Sequence, residues 1–199
     1  MSRKGILLIL DGYGEGKDDP FNAVKNADTP TLDALHKKSY SLLKADGEAV
    51  GLFAKELGGS EVGHTTIGAG RIVPSVAKKI HDDLLSGAFF ESKELNKVLD
   101  RLKQNDGDLH LIGLMSDKNI HSDINHAFAI LNMAQNKARH IYIHFITDGR
   151  DSGGEDSLKY LKELQKCIKN MTNVEIASVM GRFYAMDREN NMDRTDLAV

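Results

Sequence analysis

Leu109-His110-Leu111-Ile112-Gly113-Leu114-Met115 decides how this chain is read. The run is short, mostly apolar and closed at once by Ser116-Asp117, which suits a strand within a sheet. Two comparable runs come later, at His140–Ile146 and Val174–Met180. Between the three lie apolar-periodic stretches that predict helices near Asn125–Asn136 and Glu155–Asn170. Strand, helix, strand, helix, strand at this spacing predicts two right-handed crossovers of a parallel α/β sheet.

In an open parallel sheet, ligands bind beyond the carboxyl ends of the strands, where the loops leaving them converge. The residues just after each strand are therefore the candidates for chemistry. Met115 leads into Ser116-Asp117-Lys118-Asn119-Ile120-His121, and Ile146 into Thr147-Asp148-Gly149-Arg150-Asp151. Met180 leads into Gly181-Arg182-Phe183-Tyr184-Ala185-Met186-Asp187-Arg188. Guanidinium groups keep their charge and offer forked donors that match carboxylate and phosphate. Arg150, Arg182 and Arg188, with His121, are thus candidates for a site that holds a small, doubly charged anion. The plain alternative is three solvated loop arginines. His110, His140 and His144 read as satisfied sheet residues, because neither their spacing nor that of His121 and His126 makes a convincing metal pair.

Toward the N-terminus, helices are predicted near Lys93–Gln104 and Lys78–Leu85, and Val73-Pro74-Ser75 marks a candidate boundary between segments 1–75 and 76–199. The first segment opens with Ile6-Leu7-Leu8-Ile9-Leu10, which reads as a strand buried on both faces and closed by Asp11-Gly12. Five apolar residues are too few for a secretory core of ~7–15. No stretch approaches the ~20 apolar residues of a membrane span. Asp11 is either a metal ligand at a strand end or a turn residue. Thr29-Pro30-Thr31 reads as a helix start. From Asp46 to Gly70 the chain is glycine-rich and reads as irregular. Within it, Gly58-Gly59-Ser60-Glu61-Val62-Gly63-His64 places a serine between glycines, where a ligand could approach closely. Ser60 is either a nucleophile, activated by a base or a metal, or a helix cap. Gly12-Tyr13-Gly14 fails as a dinucleotide fingerprint, since Lys17 stands where the third glycine belongs.

The 199 residues carry a formal net charge of −3, which gives no global attraction to nucleic acid or to an anionic membrane. Any anion site must be local. Cys167 is the only cysteine, which excludes an intrachain disulfide and suits a reducing, cytoplasmic setting. It lies in an amphipathic segment and reads as a packing residue.

Taken in order, Leu10-Asp11-Gly12, Gly59 to His64, Gly68-Ala69-Gly70-Arg71, Ser116-Asp117 with His121-Ser122, Asp148 to Asp151 and Gly181 to Arg188 resemble successive signatures of the cofactor-independent (2,3-bisphosphoglycerate-independent) phosphoglycerate mutases, of the alkaline phosphatase superfamily. The resemblance runs from the first strand nearly to the last residue. It implies an isomerase of glycolysis and gluconeogenesis that interconverts 3-phosphoglycerate and 2-phosphoglycerate through a phosphoserine. It also implies an α/β fold in which residues 1–75 open a phosphatase-type domain and residues 76–199 begin a parallel-sheet phosphotransferase domain. Carried over by position, Ser60 is the nucleophile. Asp11 and Ser60 help hold one of two manganese ions, and His121, Arg150, Asp151, Arg182 and Arg188 bind phosphoglycerate.

The sequence departs from the family pattern at Gly59 for asparagine, Leu57 for methionine, Lys118-Asn119 for a glycine pair, Asp123 for histidine and Met192 for tryptophan. Family members are more than twice as long and usually monomeric, so most metal ligands are expected in the part this chain does not match. The 199-residue chain alone is therefore expected to be inactive unless a complementing C-terminal half is present. Two other readings stay open. One is a non-catalytic phosphoglycerate-binding module, and the other a metal-dependent phosphomonoesterase of the same superfamily.

Overall fold

The computed structural model describes residues 4–199, and the chain divides into two compact units, Met1–Ser75 and Val76–Val199. In the first unit the elements are short. Helix α1 spans Ala23–Asn26, capped by the Asn22 side chain, which accepts from the backbone of Val24 and Lys25. Helix α2 spans Pro30–His36 and has its proline in the first turn, where the missing N–H costs nothing. A 3₁₀ turn at Gly47–Val50 ends on Gly51, whose φ of 81° lies in the left-handed region that favours glycine. A Cβ there would also lie 2.1 Å from the Val73 carbonyl oxygen, so the close approach needs glycine twice over.

Two expectations for this unit fail. Ile6–Leu10 is not a strand. Ile6, Leu7 and Leu8 are exposed at 95%, 77% and 75%, with no ladder partner among the described residues. A strand needs a neighbour to take its N–H and C=O groups, and an apolar run alone supplies none. The second correction concerns Asp46–Gly70, which is not wholly irregular: helix α3 runs over Ser60–Ala69. Its interior glycines, Gly63 and Gly68, lower helix propensity and hid it.

The second unit matches the expected pattern. Helix α4 (Val76–Ser86), a 3₁₀ turn (Ala88–Glu91) and helix α5 (Lys93–Asn105) lead into strand β1 (Leu109–Leu114). Then come α6 (Ile124–Ala134), β2 (Ile141–Thr147), α7 (Asp156–Ile168) and β3 (Val174–Gly181). The chain closes with α8 (Arg182–Ala185) and α9 (Met192–Ala198). The three strands form one parallel sheet in the order β1-β2-β3.

One face of that sheet makes the core. Ile141, Ile143 and Phe145, at every second position of the central strand, share that face and are fully enclosed. They belong to one apolar cluster with Leu99 of α5, Leu131 and Ala134 of α6, and Tyr160 and Leu164 of α7. On the other face His110 Nδ1 lies 3.0 Å from His144 Nε2, and His144 Nδ1 lies 2.8 Å from Ser178 Oγ. These histidines are satisfied sheet residues. Cys167 in α7 is partly buried, and burial pushes its thiol pKa up, which fits packing rather than nucleophilic chemistry. No helix among the described residues is long and apolar enough to cross a membrane.

Candidate active site

The parallel sheet sends three loops from the carboxyl ends of its strands to one edge. There they line a cleft of about 570 Å³ that includes His121, Asp148, Arg150, Asp151, Arg182 and Arg188. The loop after β1 is tied down by two contacts. The Ser122 hydroxyl donates to the Leu114 carbonyl, and the Ile124 N–H donates to the Ser116 carbonyl at 2.9 Å. Asn119 sits at φ 58°, a left-handed conformation that asparagine tolerates better than most residues. Asp123 caps α6 by accepting from the Asn125 N–H at 2.8 Å.

Asp148 is the centre of the arrangement, a role its sequence position did not disclose. Its side chain is fully enclosed. Oδ1 accepts from the backbone N–H groups of Arg150 (3.1 Å) and Asp151 (3.0 Å) and from Arg182 Nη1 (2.8 Å). Oδ2 accepts from the Ser116 hydroxyl at 2.9 Å. Gly149, at φ 91°, lets the chain turn tightly around this carboxylate. Burial pushes the Asp148 carboxyl pKa up, but Arg182, the two backbone N–H groups and the Ser116 hydroxyl together outweigh it and hold it well below the usual range.

Arg182 is correspondingly committed. Its Nη1 bridges Asp148 and Asp151, the latter at 2.5 Å, and its Nη2 lies 3.1 Å from His121 Nε2. A guanidinium only donates, so His121 Nε2 is the acceptor in that contact. The same nitrogen lies 3.4 Å from Asp151 Oδ2 and cannot donate to it in that tautomer. Arg150 and Arg188 differ. Both are exposed, both line the cleft, and neither guanidinium has a partner among the described residues. The lining contains four arginines, with Arg194 the fourth, against Asp148, Asp151, Asp187 and Glu189. Two of the arginines, 182 and 194, are paired with carboxylates. The guanidinium groups left unpaired in the cleft lining are therefore those of Arg150 and Arg188.

In the other unit, Ser60 is the first residue of α3 and caps nothing, since the cap position falls to Gly59. Its hydroxyl lies 2.8 Å from Asp11 Oδ2 and 3.2 Å from His64 Nδ1. Ser60 and Asp11 are thus brought together across 49 positions of sequence. A Cβ added at Gly59 would meet no atom within 4 Å, so the approach to the serine is open.

A family model described as BPG-independent PGAM N-terminus matches residues 80–199. The chain belongs to that family. Among its relatives, the 2,3-bisphosphoglycerate-independent phosphoglycerate mutase of Listeria welshimeri is 44% identical over the whole of this chain and 39% of its own length. That of Clostridioides difficile is 43% identical with the same coverage. The crystal structure of Leishmania mexicana phosphoglycerate mutase at low cobalt concentration superposes with a TM-score of 0.65 at 34% identity, over 92% of this chain and 35% of that one. The chain thus spans about 39% of the length of the curated relatives it matches.

The cobalt of that neighbour raises the question of a metal here. A carboxylate and a serine oxygen suit a hard divalent cation in kind. They do not suffice in number. Among the described residues no three His, Cys, Asp or Glu side chains converge to hold an ion. The donors present do not by themselves fit a metal.

Proposed function

We propose that this chain is the nucleophile-bearing and substrate-holding portion of an enzyme that interconverts 3-phosphoglycerate and 2-phosphoglycerate. The observation that carries the reading is the pair of unpaired arginines, Arg150 and Arg188, lining one cleft with the Asp148–Arg182–Asp151 network. A phosphoglycerate carries a phosphate and a carboxylate, and forked donors suit both. Asp151 supplies an acceptor beside them for a glycerate hydroxyl. The network behind it keeps that acceptor in place, so the glycerate can be re-presented without the site rearranging.

In the same reading Ser60 is the phosphoryl acceptor. Asp11 accepts a hydrogen bond from its hydroxyl and orients Oγ, and the free N–H groups at the start of α3 favour negative charge there. Transfer forms an Oγ–P bond and breaks the substrate O–P bond, with the serine proton going to the departing hydroxyl. The return step uses the other hydroxyl and restores the serine. By family resemblance, Asp11 and Ser60 would help hold one of two manganese ions. The remaining ligands are assigned to the portion of the relatives that this chain does not span. Residues 1–75 are assigned to a phosphatase-type domain and residues 76–199 to a phosphotransferase domain.

Calorimetric titration of the chain with 3-phosphoglycerate tests the binding half of this reading. Arg150→Met is expected to weaken binding by about ten-fold or more, as loss of a charge-assisted pair would. Equal affinity in wild type and variant would remove Arg150 from the site.

A further inference from the structure

Arg188 is exposed, and its guanidinium has no partner among the described residues, yet it lies in one of the most tightly bonded turns of the unit. The neighbouring Asp187 makes that turn. Its side chain is only 5% exposed, and it accepts four hydrogen bonds from residues beyond Arg188. Oδ2 takes the backbone N–H groups of Glu189 (3.2 Å) and Asn191 (2.8 Å). Oδ1 takes Asn191 Nδ2 (2.9 Å) and Arg194 Nη1 (3.3 Å). The Arg194 guanidinium in turn lies 4.2 Å from the centre of the Phe183 ring, so the end of the segment is fastened back onto α8. Asn190, at φ 63°, closes the turn.

We propose that Asp187 is a positioning residue: its carboxylate folds the 187–194 segment around itself and thereby aims Arg188 into the anion cleft. This rests on the reading of the cleft as a phosphoglycerate site. The proposal makes a claim opposite in sign to simple electrostatics. Asp187 is a negative charge on the cleft wall, and removing it should favour an incoming anion by Coulomb's law alone. If the carboxylate instead holds the arginine in place, removing it weakens anion binding, because a freed arginine must be ordered again at each binding event.

The test is a titration of the 199-residue chain with 3-phosphoglycerate, followed by NMR, for wild type, Asp187→Asn, Arg188→Met and the double variant. Asp187→Asn is expected to bind about ten-fold more weakly, with the effect vanishing in the Arg188→Met background. Asn191→Ala removes one donor to Asp187 without altering the cleft charge, and is expected to shift affinity the same way even if Asp187→Asn folds poorly. Unchanged or tighter binding by both Asp187→Asn and Asn191→Ala overturns the proposal while leaving the cleft assignment standing. So does an equal loss in both Arg188 backgrounds. Absence of binding by the wild-type chain overturns the cleft assignment and the positioning role with it.

Discussion

Arg182 Nη1 donates to Asp148 Oδ1 at 2.8 Å, and the carboxylate it meets has no solvent exposure. The pair joins the loop after β2 to the first residue of α8, so the two sides of the cleft are tied together through Arg182. Ser116, after β1, reaches the same carboxylate and brings in the third strand.

Breaking that pair from one side leaves a charge enclosed without its partner. Arg182→Met is therefore expected to cost on the order of 3 kcal/mol of stability, read as a lowered urea midpoint. A change under ~0.5 kcal/mol would mean the pair is structurally idle.

Acid should act through the same carboxylates. Asp148 is held well below the usual range by the contacts described above, and Asp117 likewise, chiefly by the Tyr160 hydroxyl and then by Lys118 and Lys159. A carboxyl whose folded pKa is depressed stabilises the fold fully above its unfolded value, ~3.9, and loses that contribution as pH falls toward the folded value. The melting temperature is thus expected to drop as pH falls below ~4, with a shallower drop in Asp148→Asn. Identical acid profiles for variant and wild type would contradict this.

Tyr160 is fully buried in the core and donates to Asp117 Oδ1 at 2.6 Å. Tyr160→Phe keeps the ring and removes the donor, so a loss of about 1–2 kcal/mol is expected in chemical denaturation. Leu131→Ala, on the same apolar cluster, is expected to cost more, ~2–5 kcal/mol. The reverse order would place the stability of this unit in its polar network.

Ile6, Leu7 and Leu8 form a contiguous exposed apolar stretch. Such surface favours association. The chain is expected to self-associate with rising concentration in analytical ultracentrifugation, and Ile6→Ser with Leu8→Ser to reduce it. Concentration-independent sedimentation of the unmodified chain would contradict this.

Turnover is a separate matter from binding. With Asp11 and Ser60 the only metal donors assigned to this chain, the purified protein is expected to give no conversion of 3-phosphoglycerate in a manganese-supplemented coupled assay. Manganese-dependent conversion abolished by Ser60→Ala would show that the chain completes its metal set.

The sheet of residues 109–181 was legible because its strands and helices announce themselves by local period, and because a parallel sheet sends its loops to one edge. That logic alone put His121, Arg150, Arg182 and Arg188 together. The same reasoning failed at Ile6–Leu10, where the apolar pattern was right for a strand and pairing had no local signal. It failed again at α3, whose glycines mask the helix. Asp148 and Asp187 were visible only as neighbours of arginines, because their importance lies in what they accept from residues before and after them, and donor geometry is not written in residue type. The contact between Asp11 and Ser60 spans most of the first unit and leaves no periodic trace.

The measurement that bears most directly on the central claim is a backbone amide NMR titration of the 199-residue chain with 3-phosphoglycerate. Saturable shifts concentrated at residues 148–151 and 181–188, and lost in Arg188→Met, are the expected result. Shifts scattered over the surface, or none at millimolar ligand, would contradict the assignment of this cleft.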